Sequence, residues 1–163
     1  MASTTAQNYE QISYNGGLSQ QRGAARTIIG DAVATRTLTA KESGALCLFD
    51  RAAGVVYTLP TPVIGMQFEF ATTVTITSNA AKVITSAATE FILGDLQMIL
   101  VGAATTLAAA ANGTTHRAVS SNGSTTGGVI GDRYRLTAIS STQWLIDGYV
   151  SGTGTLATPF ATS

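Results

Sequence analysis

The stretch VIGDRYRLTAISSTQWLIDGYV, residues 129–150, decides the fold class that this sequence predicts. Apolar and polar side chains alternate in RYRLTA (133–138) and again after the polar segment 140–142. A period of two is typical of strands with one buried face, and a short polar turn between two such runs predicts a β-hairpin. Trp144, the only tryptophan, lies in the second run, where a large aromatic usually anchors a core or an interface.

Short alternating runs recur along the chain from residue 36, and turn-forming residues separate them every ~8–12 residues, which is typical of sandwiches and barrels. No segment predicts an amphipathic helix of more than about three turns. We therefore predict an all-β domain over residues 36–163, an antiparallel β-sandwich or jelly-roll-like barrel of about ten short strands. The residues expected to anchor its core are Phe68, Phe70 and Trp144.

The alanine-rich run at residues 106–111 is ambiguous, because alanine favours helix on propensity alone. Asn112-Gly113 follows it at once, and this dipeptide is a strong hairpin signal. The sequence therefore predicts a strand at 106–111 and a return strand at 115–120.

Residues 1–35 differ from the rest, because they are polar and their apolar residues follow no sustained period. Such a segment buries little surface alone and is either a disordered tail or an extended arm that orders on another subunit. For an arm, the expected contacts with a partner are Tyr9, Ile12, Tyr14, Ile28 and Ile29.

The composition bounds the function. Charged residues make up 11% of the 163 residues, against ~25% in ordinary soluble domains, and nine basic residues balance nine acidic ones. Zero net charge argues against binding duplex nucleic acid, which requires clustered Lys and Arg. No signal peptide and no membrane-spanning run of ~20 apolar residues are visible, so we expect synthesis in a cytosol and no membrane partner. So weakly charged a surface is expected either to be coated with hydroxyls and small residues or to be covered in large part by partners.

Residues that carry chemistry are sparse. His116 is the only histidine, and Cys47, the only cysteine, lies in the apolar run LCLF. No pattern predicts a metal site, a cofactor or a catalytic constellation, so we expect no enzyme. Arg133 and Arg135 share one strand face and would suit a sulfate, a glycan or a carboxylate, although a solvated face is the simpler interpretation.

Three stretches carry a family resemblance: LTAKESGALCLFDRAAGVVYTLPTPVIGMQFEF (38–70), VTITSNAAKVITSA (74–87) and GDRYRLTAISSTQWLIDGYVSGTGTLATPF (131–160). Their motifs T-L-T-A, D-R-A-A-G, T-L-P, Q-W-L and G-T-x-A-T-P-F resemble those of the head decoration, or cement, proteins of tailed bacteriophages. The resemblance implies a small all-β virion protein, assembled in the host cytoplasm, that binds the major capsid protein on the outer surface of the mature head and stabilises it.

The resemblance also implies self-association, with a homotrimer favoured and a dimer as the alternative. Deleting residues 1–30 is then expected to abolish capsid binding and to leave a folded domain. The competing hypothesis is a tail-fibre or other virion β-module that binds a receptor or a glycan. Such a module would expose aromatic side chains on loops, whereas Trp144 lies in a predicted strand.

Overall fold

The computed structural model describes residues 26–163, which form twelve strands and one short 3₁₀ helix, Ala40–Glu42. The strands are β1 (Ile28–Ile29), β2 (Thr35–Thr37), β3 (Leu46–Phe49), β4 (Val56–Thr58), β5 (Gln67–Thr72), β6 (Ala81–Ile84), β7 (Phe91–Leu100), β8 (Thr106–Asn112), β9 (Ala118–Ser121), β10 (Arg133–Ala138), β11 (Gln143–Gly152) and β12 (Phe160–Ala161). The all-β prediction is therefore confirmed.

The strands form two sheets. The seven-stranded sheet has the order β1-β3-β5-β10-β11-β7-β8, and the five-stranded sheet has the order β12-β9-β6-β4-β2. One continuous hydrophobic core contains residues from both sheets, as in a β-sandwich.

The first six strands coil between the two sheets. β1, β3 and β5 pair in parallel in one sheet, and β2, β4 and β6 pair in parallel in the other. β11 and β7 are also parallel, so both sheets are mixed. The predicted antiparallel arrangement was wrong on this point. Consecutive strands of the coil lie in opposite sheets, so neighbours within a sheet run in the same direction.

The predicted hairpin at residues 129–150 is confirmed. β10 and β11 are antiparallel, with Arg133 opposite Tyr149 and Ala138 opposite Trp144. The hairpin lies in the middle of the seven-stranded sheet, because β10 also pairs with β5 and β11 also pairs with β7. The alternation that predicts the strands is the alternation of burial, since inward Tyr134 is buried and Arg133 and Arg135 are exposed.

Aromatic side chains join the two sheets. Tyr57 of the five-stranded sheet has its ring centroid 5.5 Å from that of Phe49 and 5.6 Å from that of Phe70, both in the seven-stranded sheet. Its hydroxyl donates a hydrogen bond to the carbonyl of Leu48 over 2.8 Å, which satisfies the one polar atom of the ring inside the core.

The predicted core anchors lie in this core. Phe68, Phe70 and Trp144 are all fully buried, and the rings of Phe68 and Trp144 are 6.1 Å apart. A fully buried tryptophan is among the largest single contributors of apolar surface to a domain of this size.

Residues 26–29, which were predicted to be part of the arm, belong to the folded domain. Arg26 donates hydrogen bonds to the carbonyls of Gly44 and Ala45, and Ile28–Ile29 extends the seven-stranded sheet. Ile29 is buried in the core of its own domain, so its predicted role as a partner contact is corrected, whereas Ile28 is 62% exposed.

The other predicted arm contacts, Tyr9, Ile12 and Tyr14, lie outside the described residues. The division of the chain into an arm and a domain stays a prediction for residues 1–25.

The two ends of the sandwich follow from the strand directions. We call the near end the one where β5 begins and β10 ends, and the far end the one where β5 ends and β10 begins. Arg26 lies at the near end, because its bonding partner Gly44 donates its N–H to Gln67, the first residue of β5. Residues 1–25 therefore join the domain at the near end.

Replacement of Trp144 tests the core. Trp144→Ala is expected to lower the free energy of unfolding by about 3–5 kcal/mol, because it leaves a large cavity between the sheets. Tyr149→Ala on the same strand is the control, since Tyr149 faces the solvent and is 46% exposed. Urea denaturation measures both, and equal losses for the two variants would contradict the assignment of Trp144 as a core anchor.

Candidate interaction surfaces

The residues with reactive side chains have structural positions. Cys47 is fully buried, and burial raises the pKa of its thiol to about 12, so it is held as an unreactive thiol. His116 stacks on Phe160 at 5.6 Å, and its Nδ1 accepts the backbone N–H of Asn112. Within residues 26–163, no group of three His, Cys, Asp or Glu side chains is arranged to hold a metal ion.

Two buried carboxylates hold turns. Asp132 accepts the backbone N–H groups of Gly128 and Ser151 over 2.7 and 2.6 Å, which ties a far-end turn to β11. Burial raises the pKa of Asp132 even though these hydrogen bonds favour its ionised form. Glu90 accepts the N–H of Ser86 and closes a turn at the start of β7. Both carboxylates accept hydrogen bonds from backbone N–H groups of the turns that they close.

A small apolar surface stands out at the near end. We call Val63, Ile64 and Ile139 the apolar tip; their exposed fractions are 61%, 74% and 42%. Val63 and Ile64 lie in the loop between β4 and β5, and Ile139 follows the last residue of β10. No other large apolar side chain among the described residues is as exposed as Ile64.

Prolines and hydrogen bonds fix the loop that carries the tip. Pro60 and Pro62 restrict its backbone, and the N–H of Gly65 donates to the carbonyl of Ala138 over 2.9 Å. Gly65 has φ +87°, a left-handed conformation that glycine adopts at low cost. The bond to Ala138 brings the loop beside Ile139, so the three side chains lie at one end of the molecule in a fixed arrangement.

The open face of the seven-stranded sheet carries most of the ion pairs. Glu69 on β5 contacts the guanidinium groups of both Arg26 and Arg133, and Arg135 pairs with Asp147 over 3.2 Å. We call these five side chains the charged face. They follow from the strand register, since Glu69, Arg135 and Asp147 are successive partners across β5, β10 and β11.

A shallow pocket of about 360 Å³ lies over the charged face. The residues that line it are Glu69, Arg133, Tyr134, Arg135, Asp147, Gly148 and Tyr149. The exposed ring of Tyr149 and the two guanidinium groups are the groups in this pocket that would bind a ligand.

The ion pairs of Glu69 lower its pKa. Burial alone would raise it, but the guanidinium groups of Arg26 and Arg133 outweigh burial and hold the pKa below its ordinary value. The ionised Glu69 therefore holds the side chain of Arg26 on the sheet.

The sequence predicted part of these surfaces. It identified Arg133 and Arg135 as neighbours on one face, and the structure adds their carboxylate partners. It missed the apolar tip. The signal was the pair Val63-Ile64 between a proline and a glycine, because loops are seldom apolar.

No protein-family model, no curated protein and no solved structure matches this chain. Among the described residues, no helix has the length and apolar character needed to span a membrane.

Replacement of Glu69 tests the charged face through its pH dependence. Because the folded-state pKa is lowered, the ion pairs of Glu69 stabilise the protein above its ordinary pKa of 4.5, and this contribution is lost as the pH falls through the folded-state pKa. Glu69→Gln is therefore expected to lower the free energy of unfolding by roughly 1–2 kcal/mol at pH 7. The difference from the wild type should shrink as the pH falls below 4.5.

Chemical denaturation across this pH range is the measurement, and Asp95→Asn is the control. Asp95 is exposed on the same sheet face and has no ion-pair partner among residues 26–163. Asp95→Asn changes the net charge equally and removes only a like-charge neighbour of Asp147, so it is expected not to lower the stability. A loss for Glu69→Gln that is independent of pH would contradict the assignment.

Proposed function

We propose that this protein is a bacteriophage head decoration protein, which binds the outer surface of the mature head through its near end and stabilises the shell. The observation that carries the proposal is the apolar tip, three large exposed side chains at the near end. Two of them lie in a loop that the bond from Gly65 to Ala138 fixes beside the third. The family resemblance of residues 38–70, 74–87 and 131–160 supports the choice of partner, the major capsid protein.

The energetics favour a contact at the tip. Full burial of an isoleucine or valine side chain contributes about 1.5–3 kcal/mol, so a protein surface that covers the tip gains several kcal/mol from apolar area alone. A fixed loop loses little conformational entropy when it is covered. The tip is therefore suited to binding, whereas a mobile polar loop is not.

The position of Arg26 also favours the near end. Residues 1–25 join the domain there, and Arg26 is held by Glu69 and by two carbonyl groups. An arm that carries Tyr9, Ile12 and Tyr14 would then bind the same shell as the apolar tip. Two linked contacts strengthen each other through effective concentration.

The decoration protein would stabilise the head by binding its mature form in preference to other forms. Symmetric self-association would multiply the contacts that each decoration oligomer makes with the shell. The charged face is less suited to the shell contact, because its arginines and carboxylates already satisfy one another.

One observation favours the alternative function, a virion module that binds a receptor or glycan. Tyr149 is exposed beside two arginines in the pocket of the charged face, and such a combination suits an anionic sugar. A glycan array with clear hits, together with no binding to heads, would favour this alternative.

Replacement of Ile64 tests the apolar tip. Ile64→Ser is expected to weaken binding to undecorated heads at least about ten-fold, because burial of one isoleucine contributes more than the ~1.4 kcal/mol that corresponds to a factor of ten. The measurement is co-sedimentation of the purified protein with heads over a range of protein concentrations.

Ile130→Ser is the matched control. Ile130 is 63% exposed, but it lies at the far end, where its N–H donates to the hydroxyl of Thr75. Equal binding by the Ile64→Ser variant and the wild type, or an equal loss in the Ile130→Ser variant, would contradict binding through the near end.

Removal of residues 1–25 tests the proposed arm. The deletion ends at residue 25 and not at residue 30, because Ile29 belongs to the core and Arg26 belongs to an ion pair. The protein without residues 1–25 is expected to keep its cooperative unfolding transition and to lose most of its affinity for heads. Full binding by this truncated protein would remove the arm from the proposal.

A further inference from the structure

The edges of the two sheets differ greatly in length. Among residues 26–163, the edge strands β1 and β12 have two residues each and β2 has three, whereas β8 has seven. A long edge strand presents a row of backbone N–H and C=O groups without a strand partner, and soluble proteins usually protect such edges.

The β8 strand carries none of the residues that usually protect an edge. Its sequence, TLAAAAN, contains no charged residue and no proline, and β7 pairs with it continuously from Thr106 to Asn112. The described chain caps only its last residue, where the N–H of Asn112 donates to His116 Nδ1 over 3.1 Å. By contrast, the β2 edge carries Arg36, which is held by two carboxylates.

We propose that β8 pairs with β8 of a second copy of this chain, antiparallel and about a two-fold axis, so that the two seven-stranded sheets become one. No other edge among the described residues has the length to pair with all of β8. A surface that pairs with itself produces a closed two-fold dimer. This favours the dimer over the ring of three that the family resemblance implies.

The side-chain pattern sets the register. The inward side chains of β8 are those of Ala109 and Ala111, and the solvent-facing ones include Ala108 and Ala110. Inward and outward faces match across the new pair only when a residue lies on the axis. An axis at Ala109 sets each of the seven residues opposite a residue of the second copy, with Ala108 opposite Ala110. Only the N–H of Asn112 stays with His116.

The surroundings of β8 are compatible with this pairing. On the open face, Asp95 lies beside Ala110 and Gln97 lies beside Ala108. In the proposed register, Asp95 of one copy is therefore in line with Gln97 of the other, and no like charges are opposite each other. A groove of about 300 Å³ at the far end of β8 exposes apolar surface from Leu100, Leu107 and Leu156, which a second copy would partly cover. The inference does not depend on whether the protein binds heads.

A charge-exchange experiment tests the dimer by sedimentation equilibrium. The wild type is expected at twice the chain mass of 16.7 kDa. Ala108→Lys/Ala110→Lys and Ala108→Glu/Ala110→Glu each set like charges opposite each other, so each variant alone is expected at 16.7 kDa. An equimolar mixture of the two variants should recover the doubled mass.

Gln67→Lys/Gln97→Lys is the matched control, because it adds the same charge to the same sheet face on strands β5 and β7, which the second copy does not pair with, and it should keep the doubled mass. Trp144 fluorescence checks that every variant is folded. The proposal is overturned if the wild type sediments as one chain or as three, or if the mixture of variants stays at the mass of one chain.

Ala109→Cys gives a second test that needs no charge change. Directly opposite residues of an antiparallel pair have Cα atoms about 4.5–5.5 Å apart, which is within the range of a disulfide. Mild oxidation is expected to give a covalent dimer on a non-reducing gel. The same substitution at Ala71, an interior position of the sheet, should not, and failure of the Ala109→Cys variant to cross-link would contradict this register.

Discussion

The structure depends on the packing of Tyr57 between the two sheets. Its ring contacts Phe49 and Phe70 across the core, and its hydroxyl donates to a backbone carbonyl of the opposite sheet. The first six strands alternate between the two sheets, and this contact joins β4 of one sheet to β3 and β5 of the other. A polar group at this position without the hydrogen bond would cost about 1–3 kcal/mol.

In this architecture, the residues that stabilise the fold are different from those that are exposed for interaction. The aromatic core and the buried carboxylate of Asp132 fix the strands, and the turns of the coil then lie at two well-defined ends. Interaction residues are commonly carried by loops on a rigid scaffold, and the loop with Val63 and Ile64 fits that arrangement. The open face contributes ion pairs that satisfy each other, so the exposed apolar groups dominate what a partner would recognise.

The sequence predicted the local structure well where a period of two is regular. The hairpin of β10 and β11 follows from the alternation around Trp144, and the strand at 106–111 was also correct. The strand neighbours could not be predicted, because alternation specifies which face is buried but not which strand lies alongside. Parallel pairing across the coil therefore had no local signal.

The Asn112-Gly113 turn shows the same limit. A hairpin was predicted, but the side-chain oxygen of Asn112 accepts the N–H groups of Thr114 and Thr115 and redirects the chain. β9 then joins the five-stranded sheet, whereas β8 stays at the edge of the other. The apolar tip had a local signal in Val63-Ile64, but the position of this pair beside Ile139 depends on the bond between Gly65 and Ala138, which are far apart in sequence.

The central claim is that the protein acts through surfaces at the margin of a rigid β-sandwich, with the near end against a viral shell. An electron cryomicroscopy map of heads incubated with the protein tests this claim most directly. The account predicts density for a β-sandwich on the outer surface, with the loop of Val63 and Ile64 against the shell and Ile130 directed away from it. Density that contacts the shell through the end of Ile130, or heads that carry no added density, would contradict it.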